Sequence, residues 1–417
     1  MQKKLLTLAV ASALAAPGLA LAQSSVEVYG DIHMAFGHWN YGQGTTAAGG
    51  AGVATGSLTK WDVANGASNF GLRGRESVGG GLTAWFQVEQ NAPLERSNNQ
   101  AIKPASRNSA IGLQGGFGNV FMGQWTSPWA DLDGLWSVGT VGFWGPVTSI
   151  IGRRETTGTA PNPNCSNLLG APGAAVPAAV LGAAGGEVCD AIEAGGGVGH
   201  PFWRRLSNAV FYQSPVFSGA QFKLAIQTNE GRSSAGATAL AVASNASMWS
   251  SSVQWAGMGG RARIGLAVDR HKDFSAIGTT DSGWAVKGGY DFGVVNIGAA
   301  IERMTYKTAA GDTKAKQWGV AADFPIGTGS IKGSYSSAGD LSGAAGVVDS
   351  GSKQWNLGYE HRFSKRTNVG VGYAKIDNDA GAAFTWTGAP PAQGGANNTP
   401  HFGGDVATIF LSMRHRF

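Results

Sequence analysis

Cysteine is nearly absent: two in 417 residues, Cys165 and Cys189. That rules out a disulfide-built scaffold or a cysteine-rich metal centre. Charge is scarce as well, at 14% against about 25% in ordinary soluble proteins. Neither sign dominates, with 31 Lys and Arg against 26 Asp and Glu. No basic helix or recognition motif accompanies the small excess, so no nucleic-acid partner is expected. Beyond the first two dozen positions no run of eighteen apolar residues occurs, which removes transmembrane helices. No long stretch holds a helical period. Catalytic signatures are missing too. There is no G-x-S-x-G elbow, and the seven histidines form neither HExxH nor a paired metal spacing. No enzyme, metal or cofactor is expected.

What the chain has instead is glycine, 66 residues of it, far above the usual share of about 7%. It also has a leader. Lys3 and Lys4 precede a short apolar core, and Ala20-Leu21-Ala22 is a small-x-small cleavage site. Residues 1–22 therefore read as a secretory signal peptide cleaved after Ala22, and 23–417 as one domain.

Two-residue alternation then recurs along the chain. "VEVYGDIHMAF" sets Val26, Val28, Ile32, Met34 and Phe36 against Glu27, Asp31 and His33. "GLTAWFQVEQ" sets Leu82, Ala84, Phe86 and Val88 against Thr83, Gln87 and Glu89. The final "GGDVATIFLSMRHRF" sets Ala407, Ile409, Leu411, Met413 and Phe417 against Thr408, Ser412, Arg414 and Arg416, with Phe410 out of step. Tight Gly-rich turns alternate with long low-complexity connections, at roughly 38–66, 92–105, 127–204, 231–246, 308–314, 339–351 and 378–403. The fold class expected is all-β: a transmembrane antiparallel up-and-down β-barrel of about 16 strands, short turns at one end and long loops at the other. Tyr29, Trp85, Trp284, Tyr290, Trp355 and Tyr373 sit near strand ends, as an interfacial girdle requires. Glycines inside strands thin the wall where a loop folds against it.

Five stretches resemble the general porins of Gram-negative outer membranes, closest to the betaproteobacterial type: "SSVEVYGDI", "SNFGLRGRESVGGGLTAWFQVE", "RNSAIGLQGGFGNVFMGQW", "SNAVFYQSPVFSGAQFKLAIQ" and the terminal "MRHRF". The resemblance spans most of the chain in order. It implies a homotrimeric sixteen-stranded barrel in outer-membrane lipid and lipopolysaccharide, passing ions and small hydrophilic solutes passively. It also implies a third external loop, here 127–204, folded inward, and trimer contacts near 92–105. A last strand ending in an aromatic resembles the signal read by the barrel-insertion machinery, carried here by Met413, His415 and Phe417.

Selectivity in such a pore comes from charge and size at its narrowest point. Phe70 and Leu72 point outward by parity, which turns Asn69, Arg73 and Arg75 to the lumen. Anion-preferring members carry an arginine column, and the positions matching it here are Asn69, Asn108 and Arg205, with Arg107 beside Asn108 as a substitute. The expected basic wall is Arg73, Arg75, Arg107 and Arg205, and anion preference is weak at most. Opposite it the resemblance implies Asp131 and Asp133, extended by Arg153, Arg154 and Glu155. The loop also brings Trp125, Trp129, Trp136 and Trp144. These read either as a slide for aromatic or sugar-like solutes, in a substrate-preferring channel, or as packing against the wall. Cys165 and Cys189 fall in an insertion at 156–200 and are expected to pair, because the exported compartment is oxidising.

Overall fold

The computed structural model describes residues 25–44, 57–95, 104–148, 150–151, 202–228, 247–272, 278–308, 311–343, 349–382, 384–386 and 403–417. None of its helices is long and apolar enough to cross a membrane. Its eighteen extended segments make one antiparallel sheet that closes on itself. Two of these segments, Leu58–Asn65 and Asn69–Gly79, are one strand interrupted by a bulge, and Ser342–Gly343 is a two-residue bridge within a connection. Sixteen spanning strands remain. They are β1 (Ser25–Tyr41), β2 (the interrupted pair), β3 (Leu82–Asn91), β4 (Ser109–Gly115), β5 (Gly118–Thr126), β6 (Arg205–Gln213), β7 (Ala220–Gln227) and β8 (Ser247–Gly257). The second half is β9 (Ala262–Lys272), β10 (Thr280–Asp291), β11 (Asn296–Thr308), β12 (Gly311–Ile326), β13 (Gly329–Ala338), β14 (Ser352–Arg362), β15 (Thr367–Asn378) and β16 (Val406–Arg416).

Each strand pairs with its neighbour in sequence, and β1 pairs with β16 from Asp31↔Arg416 to Tyr41↔Val406. Closure leaves no sheet edge unpaired, which is what a lipid-facing backbone requires. At the β1–β2 bulge, Ile32 and His33 oppose three residues, Gly66 to Ser68. Ser68 mends the ladder: its Oγ accepts from the His33 N–H at 2.9 Å and donates to the His33 carbonyl at 3.1 Å.

The alternation becomes two faces. In β16, Ile409, Leu411 and Met413 are exposed on the outer surface, while Val406, Thr408, Phe410 and Ser412 are buried within. Phe410, out of step in sequence, faces inward because it packs on Trp144 of the long loop, with ring centroids 4.5 Å apart. Trp284, Trp355 and Tyr373 lie on the outer face. Tyr29 and Trp85 do not. Both turn inward, where Tyr29 donates to Glu89 at 3.0 Å and Trp85 to Asn119 at 2.8 Å. A tip expected as a loop at 308–314 is instead flanked by ladder, since β11 and β12 stay paired up to Thr308↔Gly311.

Candidate functional site

The third long connection enters the barrel as soon as it leaves β5. Ser127 caps a short helix, α1 (Pro128–Asp131), its Oγ accepting from the Ala130 N–H at 3.2 Å. A 3-10 turn (Leu132–Leu135) follows, and the chain then runs around the inner wall. Inward-facing small residues receive it: Gly265 and Ala267 on β9, Gly283 and Ala285 on β10, Gly298 and Ala300 on β11, Gly319 and Ala321 on β12. A Cβ on Gly298 would lie 1.9 Å from the Trp136 carbonyl oxygen, and one on Gly265 2.6 Å from Leu132. Further on, Asn356 donates to the Gly139 carbonyl at 2.8 Å, Val141 sits against Gly358 and Gly372, and Phe143 meets His33 edge-on at 6.1 Å. Residues 127–148 thus line the wall from β7 round to β1 and, among the described residues of the loop, leave to the lumen the inner faces of β2–β6.

Those strands, with the connection that enters β4, carry the basic residues. Arg73 meets Glu27 at 2.9 Å, and Arg107 meets Glu89 at 2.5 Å. The Arg205 Nε donates to the Asn108 Oδ1 at 2.9 Å, an oxygen that also accepts from the Thr126 hydroxyl at 2.9 Å. Asn108 is therefore a neutral tether for Arg205. Asn69 is held by backbone, donating to the Ala67 carbonyl at 3.1 Å. Arg75 and Arg73 line an open cavity of about 330 Å³ with Glu27, Gln87 and Gln114.

The two loop aspartates part company. Asp131, with its side chain 41% exposed, pairs with Lys223 of β7. Asp133 turns to the wall, where Lys287 bridges it at 2.5 Å to Glu302 at 2.6 Å, and Trp203 donates to it at 2.5 Å. It anchors the loop instead of facing the basic wall. Trp129, Trp136 and Trp144 are at most 1% exposed, and Trp129 donates to Glu302 at 3.1 Å, so none of the three offers a ring face to a solute. Trp125 joins an inward aromatic group on β3, β5 and β6 with Trp85, Phe121 and Phe211. Arg153, Arg154, Glu155, Cys165 and Cys189 lie outside the described residues. Met413 is on the outer face, His415 accepts from or donates to the Thr367 hydroxyl at 2.9 Å, and the Phe417 ring covers Gly30.

Residues missed in sequence are the loop's anchors, Lys287 and Glu302, and the small residues that seat it. The latter had a signal: Gly-x-Ala recurs at lumen parity in four consecutive strands, at 265–267, 283–285, 298–300 and 319–321.

The family model of Gram-negative porins matches residues 8–381. Outer membrane porin protein 32 of Delftia acidovorans is 26% identical over 393 residues, 91% of this chain and 90% of its own length. Major outer membrane protein P.IB of Neisseria lactamica is 25% identical over 343 residues, 80% and 82% of the two chains. Among solved structures, the anion-selective porin from Comamonas acidovorans superposes with a TM-score of 0.61 at 21% identity, covering 94% of this chain and all of its own. In-vitro folded OmpT of Vibrio cholerae gives 0.56 at 14% identity, covering 96% and 100%. With a closed sixteen-stranded wall, a loop folded inside it and a polar lumen, the chain belongs to the Gram-negative porin family, passive channels of the outer membrane.

Proposed function

We propose that this porin is a general diffusion channel with at most a weak preference for anions, its eyelet framed by Arg73, Arg75, Arg107 and Arg205 on one side and by Asp131 on the other. The observation that carries this reading is the pairing of the basic wall. Arg73 and Arg107 each hold a carboxylate, and Arg205 is tethered to an asparagine where an anion-preferring relative would place another arginine. A paired charge presents a short dipole, whose field falls off faster than that of a free cation and steers ions less. The similarity to an anion-selective porin supports the sign of the preference, and the pairing supports its weakness.

The same reading includes a homotrimer with contacts near 92–105. A trimer form of Vibrio cholerae OmpT, a protein of the same fold, is in keeping with it. It also includes removal of residues 1–22 on export, a Cys165–Cys189 disulfide, and an assembly signal at Met413, His415 and Phe417.

Single-channel recording of the refolded protein in a KCl gradient tests it. Three-step insertion, conductance linear in salt and a small reversal potential on the anion side are expected. A cation-side potential, near-ideal anion selectivity or negligible current would overturn it.

A further inference from the structure

Among the described residues, Arg75 and Arg205 are the eyelet arginines without a carboxylate partner; a denser set of cations lies off that wall. That set gathers at the short-turn end of the barrel, below the tip of the inward loop. An open cavity of about 750 Å³ there is roofed by 137–142 of the loop and floored by the β12–β13 and β14–β15 turns. Six cations line it: Lys332, Arg362, Lys365, Arg366, Arg414 and Arg416. Two carboxylates touch them. Glu360 takes Lys332 at 3.0 Å, and Asp31 takes Arg414 at 2.8 Å with Arg416 at 3.3 Å. Glu27, the next carboxylate along β1, is held by Arg73. Six cations less two carboxylates leave four positive charges in one vestibule. Among the described residues, Arg362, Lys365 and Arg366 enter no ion pair with an acidic side chain.

Like charges held together repel, and the acids within reach do not relieve them in full: Asp31 and Glu360 are already engaged, and Glu27 shares its charge between Arg73 and Arg366. An ion from solution must do so. Guanidinium forks match planar carboxylate and tetrahedral phosphate oxygens, and one monovalent anion would neutralise too little. The volume falls in the range of small-molecule sites, about 300–1,000 Å³. The short turns are the periplasmic end of such barrels, so a solute that has cleared the eyelet meets this vestibule next. We propose that this vestibule is a second anion subsite, distinct from the eyelet, which binds compact organic or inorganic anions bearing two or more carboxylate or phosphate charges as they leave the pore. The inference rests on the diffusion-channel reading and adds a solute class to it.

The test is current block in single channels bathed in KCl, with citrate, inorganic phosphate or acetate added to each face in turn. Citrate added at the short-turn face is expected to block at lower concentration than phosphate, and acetate not at all. The triple variant R362Q/K365Q/R366Q is expected still to insert as an open KCl channel, which shows that it folds, while its affinity for citrate falls by about tenfold or more, the scale of losing charge-assisted contacts. The charge-preserving R362K/K365R/R366K should retain block. Equal citrate block in wild type and the neutralised triple, or block abolished by R205Q alone, would overturn the subsite while leaving the channel intact. A wild type that does not conduct would overturn the channel reading itself.

Discussion

Glu89 holds the balance of charge at the eyelet. Its side chain is 13% exposed, accepts from Tyr29 and pairs with Arg107. Replacing it with Gln keeps the shape and removes the charge, which leaves Arg107 free to act on passing ions. Glu89→Gln is expected to move the KCl reversal potential toward the anion side, and Glu89→Asp to move it less. An unchanged potential would mean that Arg107 lies off the ion path. Lys287 is the opposite case, a fully buried cation between Asp133 and Glu302. Lys287→Met strands two carboxylates without their counter-charge, a loss of about 3–5 kcal/mol for breaking a buried pair. The folded band on semi-native gels should then convert to the unfolded one at a markedly lower temperature. A conversion within a degree or two of wild type would contradict the anchor.

Among the elements, the inward loop depends most on a fit that no local preference encodes. Its seat is backbone against backbone at Gly298, where any side chain meets the Trp136 carbonyl. Gly298→Val is expected to lift the loop, cost about 1–3 kcal/mol as overpacking does, and change the unit conductance. Wild-type conductance in a folded Gly298→Val would show that the loop does not set the bore. The strands were legible in sequence because parity is local: Ile409, Leu411 and Met413 declare an outer face without reference to any other part of the chain. The loop's anchoring was not, because its contacts join distant positions. Asn356 reaches Gly139 across 217 residues, and Trp129 reaches Glu302 across 173. Asp133 has the same residue type as Asp131, and nothing in its neighbours says that it will turn toward Lys287. Tyr29 and Trp85 were misplaced for a different reason. An aromatic near a strand end suits a girdle, but their parity, Tyr29 with Glu27 and Asp31 and Trp85 with Gln87 and Glu89, already points inward, and Glu89 and Asn119 hold them there.

For the molecule as a whole, stability rests on an apolar outer face. Leu411 is 58% exposed there, midway along the closing strand. Leu411→Arg is expected to cost about 2–4 kcal/mol if that position lies near the bilayer midplane. Urea titration of folding into liposomes would measure it. A cost below about 1 kcal/mol would put Leu411 at the bilayer surface.

The small residues that seat the loop have a geometric consequence for the pore. Among the described residues, 127–148 lie flat on one side, so that the barrel is double-walled from β7 round to β1 and single-walled over β2–β6. The path left by that segment is eccentric, a crescent displaced from the symmetry axis of the cylinder. A permeating molecule slides past one arc of the circumference and is shielded from the other. Amide exchange should divide the same way, slow where two layers of chain cover each other and faster where a single sheet borders water.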